Sequence, residues 1–528
     1  MLRIDQIRLL PGDSETLLPG KCARILRLPA EDIVSCAVLR RAIDAREGLT
    51  LVYTAAVEVK REDTVLRRCR DKRVSRYAPE TYALPTAVTA PEIPPIVVGA
   101  GPAGLFAALV LARCGARPIV LERGRPVEQR QADVERFWSG GALDTESNVQ
   151  FGEGGAGAFS DGKLNTGTRD VRHRFIMETL VRCGAPESIL ADAKPHVGTD
   201  MLHIALRSLR RELTEAGADI RFGARLESLR TKDGAVCGVT VRQGGAVYDL
   251  PARQVVLALG HSARDTFEML YRAGLAMEQK PFAMGVRIEH RQADVDAAQY
   301  RALAGHPALP PSTYKLSCHL PNGRSAFSFC VCPGGQVVAA ASETGRTVTN
   351  GMSEYARNGE NINGALLVNV TAEDFPSPHP LAGIALQRQV EAAAFALGGG
   401  DYRAPCQRVE DFLRGAPSAG AGRVMPSYRP GVVYTDMARC LPPFITETLR
   451  LALPVLGKKL KGYDHPDALL TGVETRSSSP VRLVRDDRYE ANIRGIYPCG
   501  EGAGYAGGIL SAAADGMRCA EKLLEVCK

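Results

Sequence analysis

The chain has 528 residues, 45% of them hydrophobic and 24% charged, with a net charge of +7. That length allows two to four domains with ample core, and the composition is that of an ordinary globular protein. A charge this small does not by itself imply nucleic-acid or membrane binding.

Residues 1–88 read as a small α/β domain. Ile4–Leu10 is expected as a strand, Glu31–Arg46 as an amphipathic helix and Leu49–Val59 as a strand with alternating apolar positions. The opening MLRIDQIRLLPGD carries a charge every few residues, so it does not form the apolar centre of a signal peptide. Residues 60–77 hold eight basic side chains (Lys60, Arg61, Arg67, Arg68, Arg70, Lys72, Arg73, Arg76) and three acidic ones. Such a stretch is either a solvated face or, less often, an edge on which RNA docks. Pro79, Pro85, Pro91, Pro94 and Pro95 then mark a linker.

From Ile96 the pattern becomes strand, glycine turn, long helix, strand. Helical patterns follow at Val127–Phe137, Arg172–Cys183 and Met201–Ala216. β-rich segments come next at Asp219–Arg230, Ala235–Arg242, Ala246–Leu250 and Gln254–Leu259, with Asp233-Gly234 and Gly244-Gly245 favouring hairpins. The longest apolar run, Leu105–Ala112, is too short to cross a bilayer, and the chain reads as cytoplasmic with no membrane partner. Residues 92–280 and 471–528 are expected to form one nucleotide-binding domain, interrupted by a mixed α+β substrate or cap domain at 281–470.

Fourteen cysteines are scattered without a CxxC, and the nine histidines show no zinc-like spacing, so no metal site is expected. The closest pair is Cys330 and Cys332. Bridging cysteines this close strains an extended backbone, and plain packing ahead of the Pro333-Gly334-Gly335 turn is the favoured reading.

The strongest signal is PPIVVGAGPAGLFAALVLARCGARPIVLERG. Gly99, Gly101 and Gly104 make a G-x-G-x-x-G turn into a helix that opens Pro102-Ala103. The first glycine allows the tight turn, the second lets backbone approach a pyrophosphate, and the third permits close helix–strand packing. The diphosphate then sits at the helix N-terminus. A second strand ends at Glu122, followed by Arg123. A carboxylate there accepts from ribose hydroxyls and repels a 2′-phosphate. Strand, turn, helix, strand and acid in this order make the assignment specific.

The other end decides which dinucleotide. GIYPCGEGAGYAGGILSAAADGMRCAEKL resembles the second FAD fingerprint of the two-dinucleotide-binding flavoprotein superfamily, with Gly500-Glu501 in place of its Gly-Asp. Gly507, Gly508 and Ile509 would bring a helix N-terminus to the flavin pyrimidine ring, stabilising negative charge there. QVVLALGHSARD, with Gly260, resembles the superfamily's Ala-Thr-Gly strand, Leu259 replacing Thr.

Nearly end to end, the chain resembles the bacterial and plastid FAD-dependent dehydrogenases. The likeness is carried by SNVQFGEGGAGAFSDGKLNTG, KPFAMGVRIEH, SFCVCPGG and ETRSSSPVRLVR, and by IDAREGLTLVYTAAVEV near the start. It implies an α/β fold with an FAD/NAD(P)-binding Rossmann-type domain, an inserted cap and an N-terminal α/β domain of possible ferredoxin-like type. The cofactor-binding set then also includes Gly155, Gly157, Asp161, Gly162 and Leu226.

Four residues are candidates for the chemistry. Lys163 in the glycine-dense loop is expected near flavin N5 or O4. Arg476 in ETRSSSP is expected to bind a substrate carboxylate or phosphate bidentately, or else to pair with Glu474 at a domain interface. Glu474 is a second candidate there. His290 is a possible general acid or base, and His261 beside Gly260 is a comparable candidate. No second strand–GxGxxG–helix unit appears, so a nicotinamide NAD(P)H or a redox protein would act only as a transient partner. The expected activity is a flavin-dependent oxidoreductase passing hydride between a small organic substrate and flavin N5. An RNA-associated flavoprotein and an FAD-bound sensor or structural protein are the alternatives.

Overall fold

The first four strands of the computed structural model, which describes residues 1–45 and 48–526, form an antiparallel sheet. Its order is Ile33–Asp44, Thr50–Val59, Leu2–Leu9, Val74–Arg76, with helices Leu18–Leu26 and Glu62–Arg68 in the crossovers. This β-α-β-β-α-β order is ferredoxin-like. Leu2, Ile4, Ile7 and Leu9 are all buried because the register shifts between Ile4 and Ile7, where Gln6 takes φ +58°, so the apolar phase changes mid-strand.

The helix expected over Glu31–Arg46 is instead the strand Ile33–Asp44; Arg46 itself lies outside the described residues. Register shifts at Ile33/Ser35 and Val38/Arg40 displace the apolar positions from strict alternation, which gives a β-branched strand the spacing of a helix. The helix of this region is Leu18–Leu26, where Pro19 falls in the first turn and costs no hydrogen bond. The domain docks through Arg41. Its N–H donates to the Ala191 carbonyl at 2.6 Å, its carbonyl accepts from Ala193 N–H at 2.8 Å, and its guanidinium meets Asp192 at 2.7 Å.

At the centre lies a five-stranded parallel sheet in the order Ile496–Pro498, Val255–Leu257, Ile96–Val98, Ile119–Glu122, Asp219–Phe222. Both faces are covered, which explains the unbroken apolar runs. Val97, Val120 and Val256 face helices Pro102–Arg113, Thr199–Glu215 and Ile509–Val526. Ile96, Val98, Leu121 and Val255 face an antiparallel meander of Ala224–Lys232, Ala235–Gln243 and Ala246–Pro251. The β-rich segment 219–230 thus serves two sheets, divided at Gly223 (φ +63°). Helices Pro102–Arg113 and Ile509–Val526 pack closely because a side chain at Gly516 would run into the Ala103 backbone.

Between these segments stands a seven-stranded sheet ordered Ser317–His319, Ser325–Cys332, Asn361–Val370, Phe282–Arg291, Leu469–Glu474, Ala404–Arg408, Val432–Tyr434. All neighbours are antiparallel except the last pair. Met284, Val286 and Ile288 join helices Ala382–Leu397 and Pro443–Lys459 in an apolar core. The alternate residues Arg287 and Glu289 give the other face a polar, buried character. Among the described residues no helix is long and apolar enough to cross a membrane.

Candidate functional site

A cavity of about 360 Å³ runs along the C-terminal ends of the parallel strands, under the polar face of the seven-stranded sheet. Ligands of open α/β sheets bind at this edge. Gly99, Gly101, Pro102 and Ala103 line its middle; Glu122, Arg123 and Leu226 line one end; Gly260, Glu501, Gly507, Gly508 and Ile509 line the other. The two fingerprints, some 400 residues apart in sequence, therefore meet in one groove.

The turn after Ile96–Val98 shows why its glycines are there. Gly99 takes φ +102°, and a Cβ at Gly104 would collide with the Gly99 carbonyl. A Cβ at Gly101 would meet nothing nearer than the Gly155 Cα at 3.8 Å, so the space above it is open. That opening lies at the N-terminus of Pro102–Arg113, where first-turn N–H groups have no partner within the helix. The fit is to an anionic diphosphate.

Glu122 is buried at the strand end. One oxygen accepts from Gly124 N–H and Gly152 N–H, each at 2.9 Å, and the other accepts from Ala100 N–H at 2.7 Å. A carboxylate has about four acceptor positions, so one remains, enough for a single ribose hydroxyl. Glu122→Ala is expected to weaken cofactor binding by about 1–3 kcal/mol, the range for losing a charge-assisted hydrogen bond; titration of the stripped protein with FAD measures it. Arg123 stacks over Phe151 at 4.1 Å and pairs with Glu146 and Asp265, which fixes the wall of this end.

The glycine-dense loop folds back over the turn. Gly154 N–H donates to the Ala100 carbonyl at 2.8 Å, and Gly155 and Gly157 border the cavity. Beneath it, buried Arg130 donates to the carbonyls of Asn148, Val149 and Glu153 at 2.7–2.9 Å and holds the loop in place. Asp161, Gly162 and Lys163 also line the cavity. The Asp161 carboxylate is already engaged, by Arg357 at 2.6 and 2.8 Å, by Ser353 and by Lys163 Nζ at 2.9 Å. It ties the loop to the cap. Lys163 Nζ is buried, within ion-pair distance of Asp161 but off the hydrogen-bonding axis. Burial alone would lower its pKa; Cys332, Cys330 and Asp161 more than offset that and keep it charged.

At the far end Glu501 lies 3.3 Å from His261 Nδ1. Both line the cavity, so the His261 candidate joins the site. The range expected as cap contributes Phe329, Cys330 and Asn350, and the segment after it contributes Glu474, Arg476 and Ser477, of which Glu474 ends a strand of the seven-stranded sheet rather than belonging to the nucleotide-binding domain. Glu474 accepts from Arg287 Nη1 at 3.1 Å; burial pushes its carboxyl up to about 7, against the pull of Arg287.

Three expected residues do not reach the cavity. Gly104 packs beneath the turn against Gly99, and Gly500 against the Ala103 side chain. His290 points to the apolar side of the cap sheet, where its Nε2 meets the Tyr463 carbonyl at 2.8 Å between the Tyr314 and Tyr463 rings. Burial pushes its pKa down to about 4, so it is a neutral packing residue. Arg476 lines the cavity, yet its guanidinium is spent. It donates to Glu391 at 3.0 and 3.1 Å, to Ser342 at 2.6 Å and to Ser262 at 3.2 Å. Its acidic partner is Glu391, while Glu474 pairs with Arg287. Phe151, Gln150, Phe329 and Asn350 were missed as lining residues. Gln150 and Phe151 had a signal, since they lie inside the glycine-loop motif.

Three family models match the chain. An FAD binding domain covers residues 95–156, an FAD-dependent protein C-terminal domain-like model covers 281–477, and a domain of unknown function covers 1–60. A Clostridium beijerinckii relative, described as an uncharacterized protein, is 45% identical over 99% of this chain and 98% of its own. A thiamine thiazole synthase from Thermotoga maritima is 27% identical over 41% of this chain and 75% of its own. Among solved structures, the flavin-dependent brominase Bmp2 is 12% identical with a TM-score of 0.38, covering 82% of this chain and 78% of its own. FAD is the cofactor, and the chain belongs to the same family as the Clostridium beijerinckii relative, that of FAD-dependent proteins in which a Rossmann-type FAD unit is joined to this C-terminal domain.

Proposed function

We propose that the protein passes hydride between a small organic substrate and FAD in the space between the Rossmann-type unit and the polar face of the cap sheet, with Glu474 moving the accompanying proton. FAD, when bound, supplies the two-electron acceptor or donor. The observation that carries the reading is the Glu474 carboxyl, which faces the cavity with a pKa raised to about 7 by burial. A group half-protonated near neutral pH both gives and takes a proton efficiently. Arg287, charged throughout, fixes the carboxyl in place and also donates to Asn363 and to the Cys330 carbonyl.

Substrate anchoring passes from Arg476 to Lys163. An ammonium has three donors, and Lys163 commits itself only to the Asp161 ion pair. Lys163 borders the cavity, so its charge favours an anionic group at the flavin end.

Anaerobic spectroscopy of the holoprotein against a panel of hydroxy acids, amines and reduced nicotinamides tests the reading. With a reductant found, Glu474→Gln is expected to keep FAD bound and slow flavin reduction by about 10²–10⁴-fold. The wild-type rate should show an inflection near pH 7 that the variant lacks. Equal rates in both proteins across pH would remove Glu474 from the chemistry.

A further inference from the structure

The strand Ser325–Cys332 ends in a distortion that packing alone does not require. Its pairing with Asn361–Val370 runs regularly to Phe329–Ala365 and then jumps to Cys332–Asn363. Within the jump Cys330 takes φ +42°, a left-handed conformation that non-glycine residues rarely adopt. Such strain persists only where the surroundings enforce it, and an observed outlier of this kind is a reason to look for function.

The distortion separates the side chains by role. Val331 joins the apolar core of the cap, while Cys330 lines the FAD cavity. Cys332 Sγ sits 3.8 Å from Arg287 Nη2 and 3.3 Å from the Cys330 carbonyl, on the polar face of the sheet. Two residues apart on a regular strand, Cα atoms stand roughly 6.8 Å from each other, at the upper limit of disulfide geometry. The left-handed φ at Cys330 belongs to a break in that extended path between Phe329 and Cys332, so the pair does not sit on a regular strand.

The charges around the pair are also unusual. Arg287 is buried, as is the Nζ of the half-buried Lys163, which has no hydrogen-bond acceptor of its own, and both charges act on the two thiols. The Cys330 thiol is pushed down to about 6, by its Cys332 neighbour and then by Lys163 and Arg287, against burial; Cys332 is pushed up. The two sulfurs are thus held unequal, Cys330 favouring the thiolate and Cys332 the thiol, the asymmetry that thiol–disulfide chemistry uses.

We propose that Cys330 and Cys332 form a dithiol–disulfide couple that exchanges two electrons with FAD across this cavity. The Cys330 thiolate and Cys332 thiol together lose two electrons and one proton as their S–S bond forms. FAD, when bound, would supply the acceptor for both electrons and that proton. In reverse, reduced flavin opens the disulfide. A soluble dithiol, by exchange at Cys330, is the external reductant this couple accepts. The inference rests on FAD occupying the cavity, and it does not depend on Glu474.

The test uses the holoprotein. After mild oxidation with diamide, alkylation and proteolysis should recover Cys330 and Cys332 in one internally bridged peptide, two hydrogens lighter than the dithiol form. Anaerobic dithionite titration of the same sample should then consume four electrons per FAD, two for the flavin and two for the disulfide. Cys330→Ser and Cys332→Ser should each halve that uptake, with FAD content as the check on folding. Should a variant fail to fold, the wild-type map and titration decide alone. Two electrons per FAD with both thiols alkylated overturns the couple. So does a bridged peptide that survives full reduction of the flavin. Either result leaves the pH inflection assigned to Glu474 untouched, so the two proposals fail separately.

Discussion

Gly101→Val is expected to purify folded and colourless. At this position the backbone is extended (φ −77°, ψ −178°), which any residue adopts, and a Cβ meets no protein atom closer than 3.8 Å. The protein itself therefore tolerates the added Cβ. The valine methyl groups instead fill the opening above the helix N-terminus that the diphosphate requires. Overpacking of about 1–3 kcal/mol, added to the lost backbone contacts, should lower FAD affinity by at least about a hundredfold, since each 1.4 kcal/mol is a factor of ten. Circular dichroism should match the wild type while the visible flavin spectrum is absent. Gly104→Val is the contrasting case. Its Cβ strikes the Gly99 carbonyl, so that variant should lose the fold along with the cofactor. A yellow Gly101→Val protein with full FAD content would place the diphosphate elsewhere.

Glu391→Ala should be the most destabilising single change in the cap. Glu391 is fully buried on helix Ala382–Leu397 and accepts from Arg264 at 2.7 and 2.8 Å, from Arg476 at 3.0 and 3.1 Å and from Thr475 at 2.7 Å. Removing it leaves two buried guanidinium groups to share Glu343, 2.6 Å from Arg264 and 3.7 Å from Arg476, and breaking a buried pair costs about 3–5 kcal/mol. Urea denaturation of the wild type and variant measures the difference. The pH dependence has a definite sign. Burial raises the Glu391 pKa, but Arg264 and Arg476 outweigh it and hold the folded carboxyl far below its usual range. Its contribution is thus complete above the unfolded value of about 4.3 and is lost as pH falls toward the folded one. The acid limb of the stability curve should be flatter in the variant.

The cofactor half of the site was readable in the sequence because its chemistry is local. Strand, glycine turn, helix and acid lie within one short unit, and each residue acts through its own backbone or a neighbour's. The cap half was not, because its side chains acquire meaning from distant partners. Glu474 pairs with Arg287 across 187 positions, and Arg476 with Glu391 across 85. Nothing near Arg476 reveals that its guanidinium is already satisfied. His290 shows the same limit: its residue type offers an acid or base, but only the packed Tyr314 and Tyr463 rings show that it sits in a sealed core. The Ile33–Asp44 strand failed for a backbone reason, since irregular register hides a period of two. At Cys330 the deciding fact is a dihedral angle, which residue type does not encode.

The pairing of helices Pro102–Arg113 and Ile509–Val526 sets a timetable for the protein's synthesis. The turn that receives the diphosphate is made some 400 residues before its partner helix and the edge strand Ile496–Pro498. Until then the parallel sheet lacks an edge and Ala103 lacks the close neighbour that Gly516 provides. Domains fold as units during synthesis, N-terminal ones first. The ferredoxin-like domain, complete by Arg76, can fold at once, while the nucleotide-binding unit waits for Ile496–Val526. The groove for FAD is complete only once both segments have joined the sheet.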